Sequence, residues 1–240
     1  MNSTRGPGSR VSAEPGIVLH TRPYRETSLI VSIFTLHHGR IAAIAKGVRG
    51  RRRSNDLQPF NTMNLNWMGR GSMVTLTGYE ALAHPWLKGD AMAAAFYIVE
   101  LITRLTGEHD ALPRLYAAAS WAIERLSVGS PHMHVVLRSF EKQLLQELGY
   151  GLDFAHDAST GADLVAHDDY LLDLESGFVA PDDRHDNETY TGAVLLEIGA
   201  EDFDSTATRR AAKEIFRRAL TAHLGPKPLT SRRLLFRERP

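Results

Sequence analysis

The spacing of apolar residues changes near Pro85, and no other feature of the sequence constrains the fold as strongly. Before Pro85, short β-rich runs alternate apolar with polar residues, as in the run from Met63 to Trp67. After it, apolar residues recur every three or four positions, which is the period of an amphipathic helix. The chain is therefore predicted to be an α+β multidomain protein, with a β domain at residues 16–86 and a helical domain at residues 87–240.

The β domain is predicted to be a small five-stranded barrel. Residues 1–15 mix Gly, Ser, Pro and Arg without apolar periodicity and are predicted to be a flexible leader. Glycines after His38 and Met68 suit hairpin turns. The predicted strands are Gly16–Thr21, Ser28–Leu36, Arg40–Val48, Leu57–Trp67 and Ser72–Ala83.

The helical domain is predicted to contain packed helices around an irregular insert at residues 150–190. One helix should start with Ser130 as N-cap and Pro131 at its first position, and stop at Gly149. Another should run from Ser205 to Leu224. Apolar stripes mark two earlier helices, at Ile98, Leu101, Ile102 and Leu105 and at Leu115, Ala119, Ala122, Ile123 and Leu126.

Charge is segregated along the chain although the formal net charge is zero. Residues 1–88 carry a net charge of +8, residues 89–208 carry −16 and residues 209–240 carry +8. Clustered cations attract polyanions and release their counterions, so the basic ends favour nucleic-acid binding. The longest apolar run, Ala91–Val99, is too short to span a membrane, and the absence of cysteine excludes disulfides and thiolate sites. A cytoplasmic protein is expected.

The densest group of cations lies on a glycine-bearing loop between two predicted strands. Glycine lets the backbone approach phosphates closely, and Arg binds phosphate oxygens through two parallel hydrogen bonds. Such a loop beside a barrel predicts a groove for single strands, and a merely solvated turn is the alternative. The cations are Lys46, Arg49, Arg51, Arg52 and Arg53.

A second basic turn places an aromatic ring between two cations. Arg22 and Arg25 flank Tyr24, so the ring could stack on a base between two phosphate contacts. Packing of Tyr24 on the barrel rim is the alternative.

His-Asp pairs favour a different function, a metal-dependent phosphohydrolase. Their spacing argues against it, because three of the four pairs lie in the irregular insert rather than on rigid helices. A barrel that binds RNA is a third interpretation. The pairs are His109-Asp110, His156-Asp157, His167-Asp168 and His185-Asp186.

Several segments, in their order along the chain, resemble the RecO family of recombination mediators. The N-terminal half carries Gly16–Ser28, Phe34–Arg40, Ala45–Arg49 and Leu57–Phe60, and the C-terminal half carries Leu137–Glu141 leading to Leu148–Gly151, then Lys227–Arg232. The resemblance covers nearly the whole chain after the leader. It implies an N-terminal oligonucleotide-binding (OB) fold barrel followed by a helical domain.

The resemblance also implies partners and site residues. RecO proteins bind single- and double-stranded DNA, anneal complementary strands without a cofactor or catalytic residue, partner with RecR and recognise the acidic tail of single-strand-binding protein. For this chain it implies a nucleoid-associated protein in which Arg138 receives that tail, with a helix-surface salt bridge as the alternative. Many members hold a four-cysteine zinc site after the Gly-Tyr-Gly segment, which a chain without cysteine lacks. The implied DNA contacts are Arg22, Tyr24, Arg25, Arg40, Lys46, Arg49 and the run Arg51, Arg52 and Arg53.

Overall fold

A computed structural model describes residues 10–49, 56–129, 132–181 and 188–235. These residues pack as two compact units. The described residues before 130 and those from 229 onward form the first unit, and residues 132–228 form the second. The change from strands to helices near residue 86 thus lies inside the first unit, and the domain boundary predicted there stays a proposal.

The first unit contains a closed five-stranded barrel, so the predicted barrel is confirmed. Its strands follow the order β1-β2-β3-β5-β4, and β4 pairs with β1 to close the ring. Only β3 and β5 pair in parallel, and the other neighbours are antiparallel. The strands are β1 (Arg10–Tyr24), β2 (Ser28–Thr35), β3 (Gly39–Ala45), β4 (Thr62–Met68) and β5 (Val74–Ala83).

Alternating side chains fill the barrel interior. Met63, Leu65 and Trp67 of β4 are buried there, as their spacing predicts, while the asparagines between them are only half-buried. Leu57 also reaches this core from the loop before β4. The predicted strand at Leu57–Trp67 was too long, because Phe60 adopts a φ of 76° that no strand can continue through.

Strand β1 begins at Arg10, so the predicted leader is wrong for residues 10–15. Arg10 and Val11 pair with Met68 and Trp67 of β4. The alternation that would reveal this strand is interrupted by an irregularity in which Ala13 has a φ of 56° and its N–H donates to the Asn66 Oδ1 at 2.9 Å. Residues 1–9 lie outside the described part of the chain.

Two helices, α1 (Gly89–Leu105) and α2 (Pro113–Ser127), belong to the same unit as the barrel. Both predicted apolar stripes are buried, apart from Leu105, which is half-buried. The rings of Phe34 and Tyr116 lie 6.0 Å apart and those of Phe60 and Phe96 lie 4.8 Å apart, so aromatic packing joins both helices to the barrel. None of the helices described is long and apolar enough to cross a membrane.

The second unit combines three helices with a small sheet. The helices are α3 (Met133–Glu147), α4 (Gly192–Gly199) and α5 (Thr206–Leu224). Gly149, with a φ of 81°, follows α3, and the Ser205 side chain caps α5 by accepting from the Thr208 N–H, so both of these predicted ends are confirmed. Ser130 and Pro131 lie outside the described residues.

The insert is not irregular throughout, which corrects the prediction for residues 150–190. It contains a three-stranded antiparallel sheet in which β6 (Asp169–Asp173) lies between β7 (Gly177–Val179) and β8 (Thr189–Thr191). The strands are three to five residues long, too short to show a period, and the central residues of β6 are buried on both faces rather than alternating.

Packing and turn hydrogen bonds organise the insert of this cysteine-free chain. The ring of Phe154 lies 5.2 Å from that of Phe178 and 5.9 Å from that of Phe216 on α5. The carboxylate of Asp157 accepts hydrogen bonds from both the backbone and the hydroxyl of Ser159. These contacts hold the segment after the Gly-Tyr-Gly motif, where many members of the family that the chain resembles hold a zinc site and this chain has no cysteine.

The chain then returns to the first unit, where a short helix, α6 (Arg232–Leu235), follows α5. The carboxylate of Glu100 on α1 accepts hydrogen bonds from the N–H groups of Thr230 and Ser231, each at 2.8 Å, and from the Ser231 hydroxyl at 2.5 Å. Burial alone would raise the pKa of Glu100, but these hydrogen bonds and the charge of Arg104 together lower it. We call this contact the Glu100 clamp.

Candidate nucleic-acid interface

One end of the barrel brings the two basic loops together. The backbone N–H of Arg49, after β3, donates to the carbonyl of Thr27 in the β1–β2 turn at 2.9 Å. The guanidinium of Arg49 donates to the carbonyl of Arg25 in the same turn at 2.8 Å. Two loops that are 24 residues apart in sequence therefore form one surface, which we call the loop end of the barrel.

A concavity of about 740 Å³ lies at the loop end. Tyr24, Arg25 and Lys46 line it, as the sequence predicts for residues of one groove. Glu26 lines it too and is the only acidic residue among the described lining residues, so cations outnumber anions among them. The described residues that line it are Tyr24, Arg25, Glu26, Thr27, Ser28, Ile44, Lys46, Gly47 and Thr75.

The ring of Tyr24 is half-buried and carries a cation on one side. The Arg25 guanidinium carbon lies 5.1 Å from the ring centroid, within the range of a cation–π contact. Arg25 has a φ of 53°, which turns the chain sharply at the end of β1. This arrangement combines a ring that can stack with a charge that can reach a phosphate.

Arg22 is exposed on the outer face of the barrel. It pairs with Ile30 of β2, which in turn pairs with Ile44 of β3, and opposite residues of antiparallel strands point to the same side. Ile44 lines the concavity, so Arg22 lies on the same outer face of the barrel as this concavity.

Arg40, which the sequence predicts as a DNA contact, is not part of this surface. Its guanidinium donates to the carbonyl of Thr106 at 2.9 Å and to the Thr106 hydroxyl at 3.1 Å, which caps the C-terminal end of α1. Arg40 pairs with Phe34, six positions along β2 from Ser28 at the concavity, or roughly 20 Å at about 3.3 Å per residue. Its role in this structure is to fasten α1 to the barrel.

The remaining predicted contacts lie elsewhere. Arg51, Arg52 and Arg53 fall outside the described residues. Arg138, on α3 in the second unit, forms an ion pair with Glu141, its Nη2 lying 2.6 Å from the Glu141 Oε1. The Arg138 side chain is only 12% exposed, so the geometry corresponds to the salt bridge that was the alternative to peptide binding.

The three His-Asp pairs within the described residues do not converge. In the described part of the chain, no group of three or more His, Cys, Asp or Glu residues is placed to hold a metal ion. His156 contacts Asp153 at 2.8 Å and Asp163 at 3.4 Å, and His167 contacts Asp168 at 3.4 Å. The backbone of His109 donates to the carbonyl of Arg40, and the pair at His185 lies outside the described residues.

Comparison with protein families accounts for nearly all of the described chain. Residues 10–84 match the family described as Recombination protein O N terminal, and residues 87–233 match Recombination protein O C terminal. The chain belongs to the RecO family. Three relatives, each named DNA repair protein RecO, show how extensive the RecO similarity is. They come from Cellvibrio japonicus (40% identical, covering 94% of this chain and 97% of the relative), Haemophilus influenzae strain 86-028NP (43%, 91% and 93%) and Nitrosococcus oceani (39%, 94% and 93%).

Because the chain belongs to the RecO family, the loop end is a surface of a DNA repair and recombination protein. Several residues of its concavity, among them Ile44 and Thr75 on the strands, were not predicted because they are neither cations nor aromatic rings. The alternation along β3, where Ile41, Ala43 and Ala45 point inward, would have placed Ile44 on the outer face.

Proposed function

We propose that this chain is a recombination mediator whose barrel binds single- and double-stranded DNA at its loop end. The observation that supports this is the pair of hydrogen bonds from Arg49 to the β1–β2 turn, which gathers Tyr24, Arg25 and Lys46 around one concavity in a chain of a DNA repair family. Arg22 and the run Arg51, Arg52 and Arg53 are proposed as further contacts, and Arg40 is left out because Thr106 engages it.

The cations of the loop end would also promote annealing of complementary strands. Two complementary strands repel each other through their phosphates, and cations that hold both backbones offset that repulsion. Only base pairs form in this process, so we propose no covalent step and no cofactor.

The finer assignments concern partners and place of action. We propose that the protein works with RecR in the cytoplasm, at the nucleoid, to load the recombinase on DNA coated by single-strand-binding protein. Arg138 is the proposed contact for the acidic tail of that protein. A tail carboxylate would have to compete with Glu141 for the Arg138 guanidinium, because the two side chains are already paired.

Salt dependence of DNA binding tests the loop end. The double variant Arg25→Ala with Lys46→Ala should bind single strands of every sequence more weakly, and the slope of log K against log salt should flatten by about 0.7 for each lost contact. Arg125→Ala is the matched control, since it removes an exposed cation from α2 instead. A slope that is the same in the double variant and the wild type would refute DNA binding at the loop end.

Strand annealing on coated DNA tests the mediator role. Annealing should proceed on DNA covered by intact single-strand-binding protein and fall sharply when the tail of that protein is deleted, because the proposed docking contact is then lost. Arg138→Ala should reproduce this loss on coated DNA while leaving annealing of bare strands unchanged. Equal annealing with and without the tail would contradict recognition of the tail.

A further inference from the structure

Near its start, the insert of the second unit forms a turn that is closed by backbone hydrogen bonds. The N–H of Leu164 donates to the carbonyl of Ala155 at 2.7 Å, and the N–H of Asp157 donates to the carbonyl of Ala162 at 2.8 Å. We call residues 153–164 the insert turn.

The ring of His156 lies between two carboxylates of the insert turn. Its Nδ1 lies 2.8 Å from the Asp153 Oδ2, and its Nε2 lies 3.4 Å from the Asp163 Oδ1. His156 and Asp163 also face each other in an antiparallel backbone bridge. The ring therefore links the two arms of the turn.

This link requires a proton on the ring. A neutral imidazole has one N–H, so it can donate to one carboxylate and presents a lone pair to the other. An imidazolium has two N–H groups and a positive charge, which suit a carboxylate on each side. The position of His156 between Asp153 and Asp163 thus matches the protonated form.

The electrostatic surroundings of the ring favour the same form. The hydrogen bond to Asp153 and the negative charge of Asp153 raise the pKa of His156, and the charge of Asp163 adds to them against the opposing effect of burial. Of the described residues, these two are the charged groups that act on the ring. The carboxylate of Asp157 is engaged instead by the backbone and the hydroxyl of Ser159.

The bridged residues adjoin an aromatic contact between the insert and α5. Asp153 also accepts a hydrogen bond from the backbone N–H of Ala155, at 2.8 Å. Phe154 lies between these two residues and packs against Phe178 of the insert sheet and Phe216 of α5. Opening of the insert turn would therefore loosen the residues that position Phe154.

We propose that His156 is a pH-sensitive latch of the insert, which closes the insert turn as an imidazolium and lets it open more readily after losing its proton. The latch does not depend on the proposed DNA binding, because it lies in the second unit and involves none of the loop-end residues.

The direction of the effect follows from the raised pKa. The latch stabilises the turn fully below the usual histidine pKa of 6.5, and this stabilisation is lost as the pH rises through the higher pKa of the folded protein. The carboxylates stay charged throughout this range, so the proton on His156 is what changes.

Amide hydrogen exchange at Asp157 and Leu164, corrected for intrinsic rates, measures opening of the insert turn in the full chain. In the wild type, protection should be about threefold higher at pH 6 than at pH 8, which is the scale of an exposed ion pair. In His156→Gln, whose side chain is neutral at both pH values, this ratio should fall to about one.

Two further variants make the test specific. Asp163→Asn removes one of the two carboxylates and should lower the pKa of His156 in an NMR titration of the ring, with a smaller protection ratio. His167→Gln is the matched control, since His167 is another exposed histidine of the second unit whose ring meets Asp168 at 3.4 Å. It should keep the wild-type ratio at both amides.

Equal protection ratios in the wild type and His156→Gln would overturn the latch. A ring pKa of 6.5 or lower for His156 in the wild-type protein would overturn it as well, because the bridge would then add nothing to the protonated form.

Discussion

Gly39 allows two segments of the first unit, the turn before β3 and the loop after α1, to pack closely together. It lies at the start of β3 with a φ of 64°, and a Cβ placed there would lie 2.2 Å from the carbonyl oxygen of Asp110. Contacts that short are forbidden, and both the turn and the loop that follows α1 would have to move. Glycine is therefore required for two reasons, its conformation and its missing side chain.

We expect Gly39→Ala to lower the free energy of unfolding by about 3 kcal/mol or more. Gly47→Ala is a close control, because Gly47 has a φ of 67° but a Cβ added there meets no atom of the described residues within 4 Å beyond its chain neighbours. It should cost only about 1 kcal/mol, from conformational strain. Urea denaturation of both variants measures the difference, and equal losses would show that Asp110 is not crowded.

At the residue scale, the sequence shows which residues are charged but only in part which of them line the concavity. Tyr24, Arg25 and Lys46 were predicted to lie together and do line one concavity. Arg40 has the same side chain as its predicted companions, yet Thr106, 66 residues away, engages its guanidinium. A sequence without its fold does not reveal which cations already have hydrogen-bond acceptors.

At the scale of elements, long periodic segments were predictable and short ones were not. The barrel strands and helices α1, α2 and α5 repeat their apolar residues often enough to be recognised. Strand β1 was shortened by the irregularity at Ala13, and the three strands of the insert have too few residues to display a period. Strand register was not predicted, because the pairings that define it join residues far apart in the sequence, such as Arg10 and Met68.

At the scale of the whole molecule, the Glu100 clamp links residues 130 positions apart in sequence. The lowered pKa of Glu100 means that its charged form stabilises the fold. That stability is fully present above the usual pKa of 4.5 and is lost as the pH falls through the lower pKa of the folded protein. Acid should therefore loosen the segment at Thr230 and Ser231.

Glu100→Gln should loosen the same segment at neutral pH, by about 2 kcal/mol of local opening free energy, because charge-assisted hydrogen bonds become neutral ones. Amide hydrogen exchange at Thr230 and Ser231, corrected for intrinsic rates, measures it. Glu124→Gln, at an exposed position on α2, is the control and should leave both amides protected. Unaltered protection in Glu100→Gln would show that the clamp adds little stability.

The path of the chain between its two units also governs the order in which the protein can mature on the ribosome. The first unit contains residues that are translated before the second unit, yet it takes its last described helix from residues 232–235. The second unit is synthesised in between, so all its residues have emerged before the first unit can be completed. During translation, therefore, Glu100 cannot accept hydrogen bonds from Thr230 and Ser231 until α5 has been synthesised.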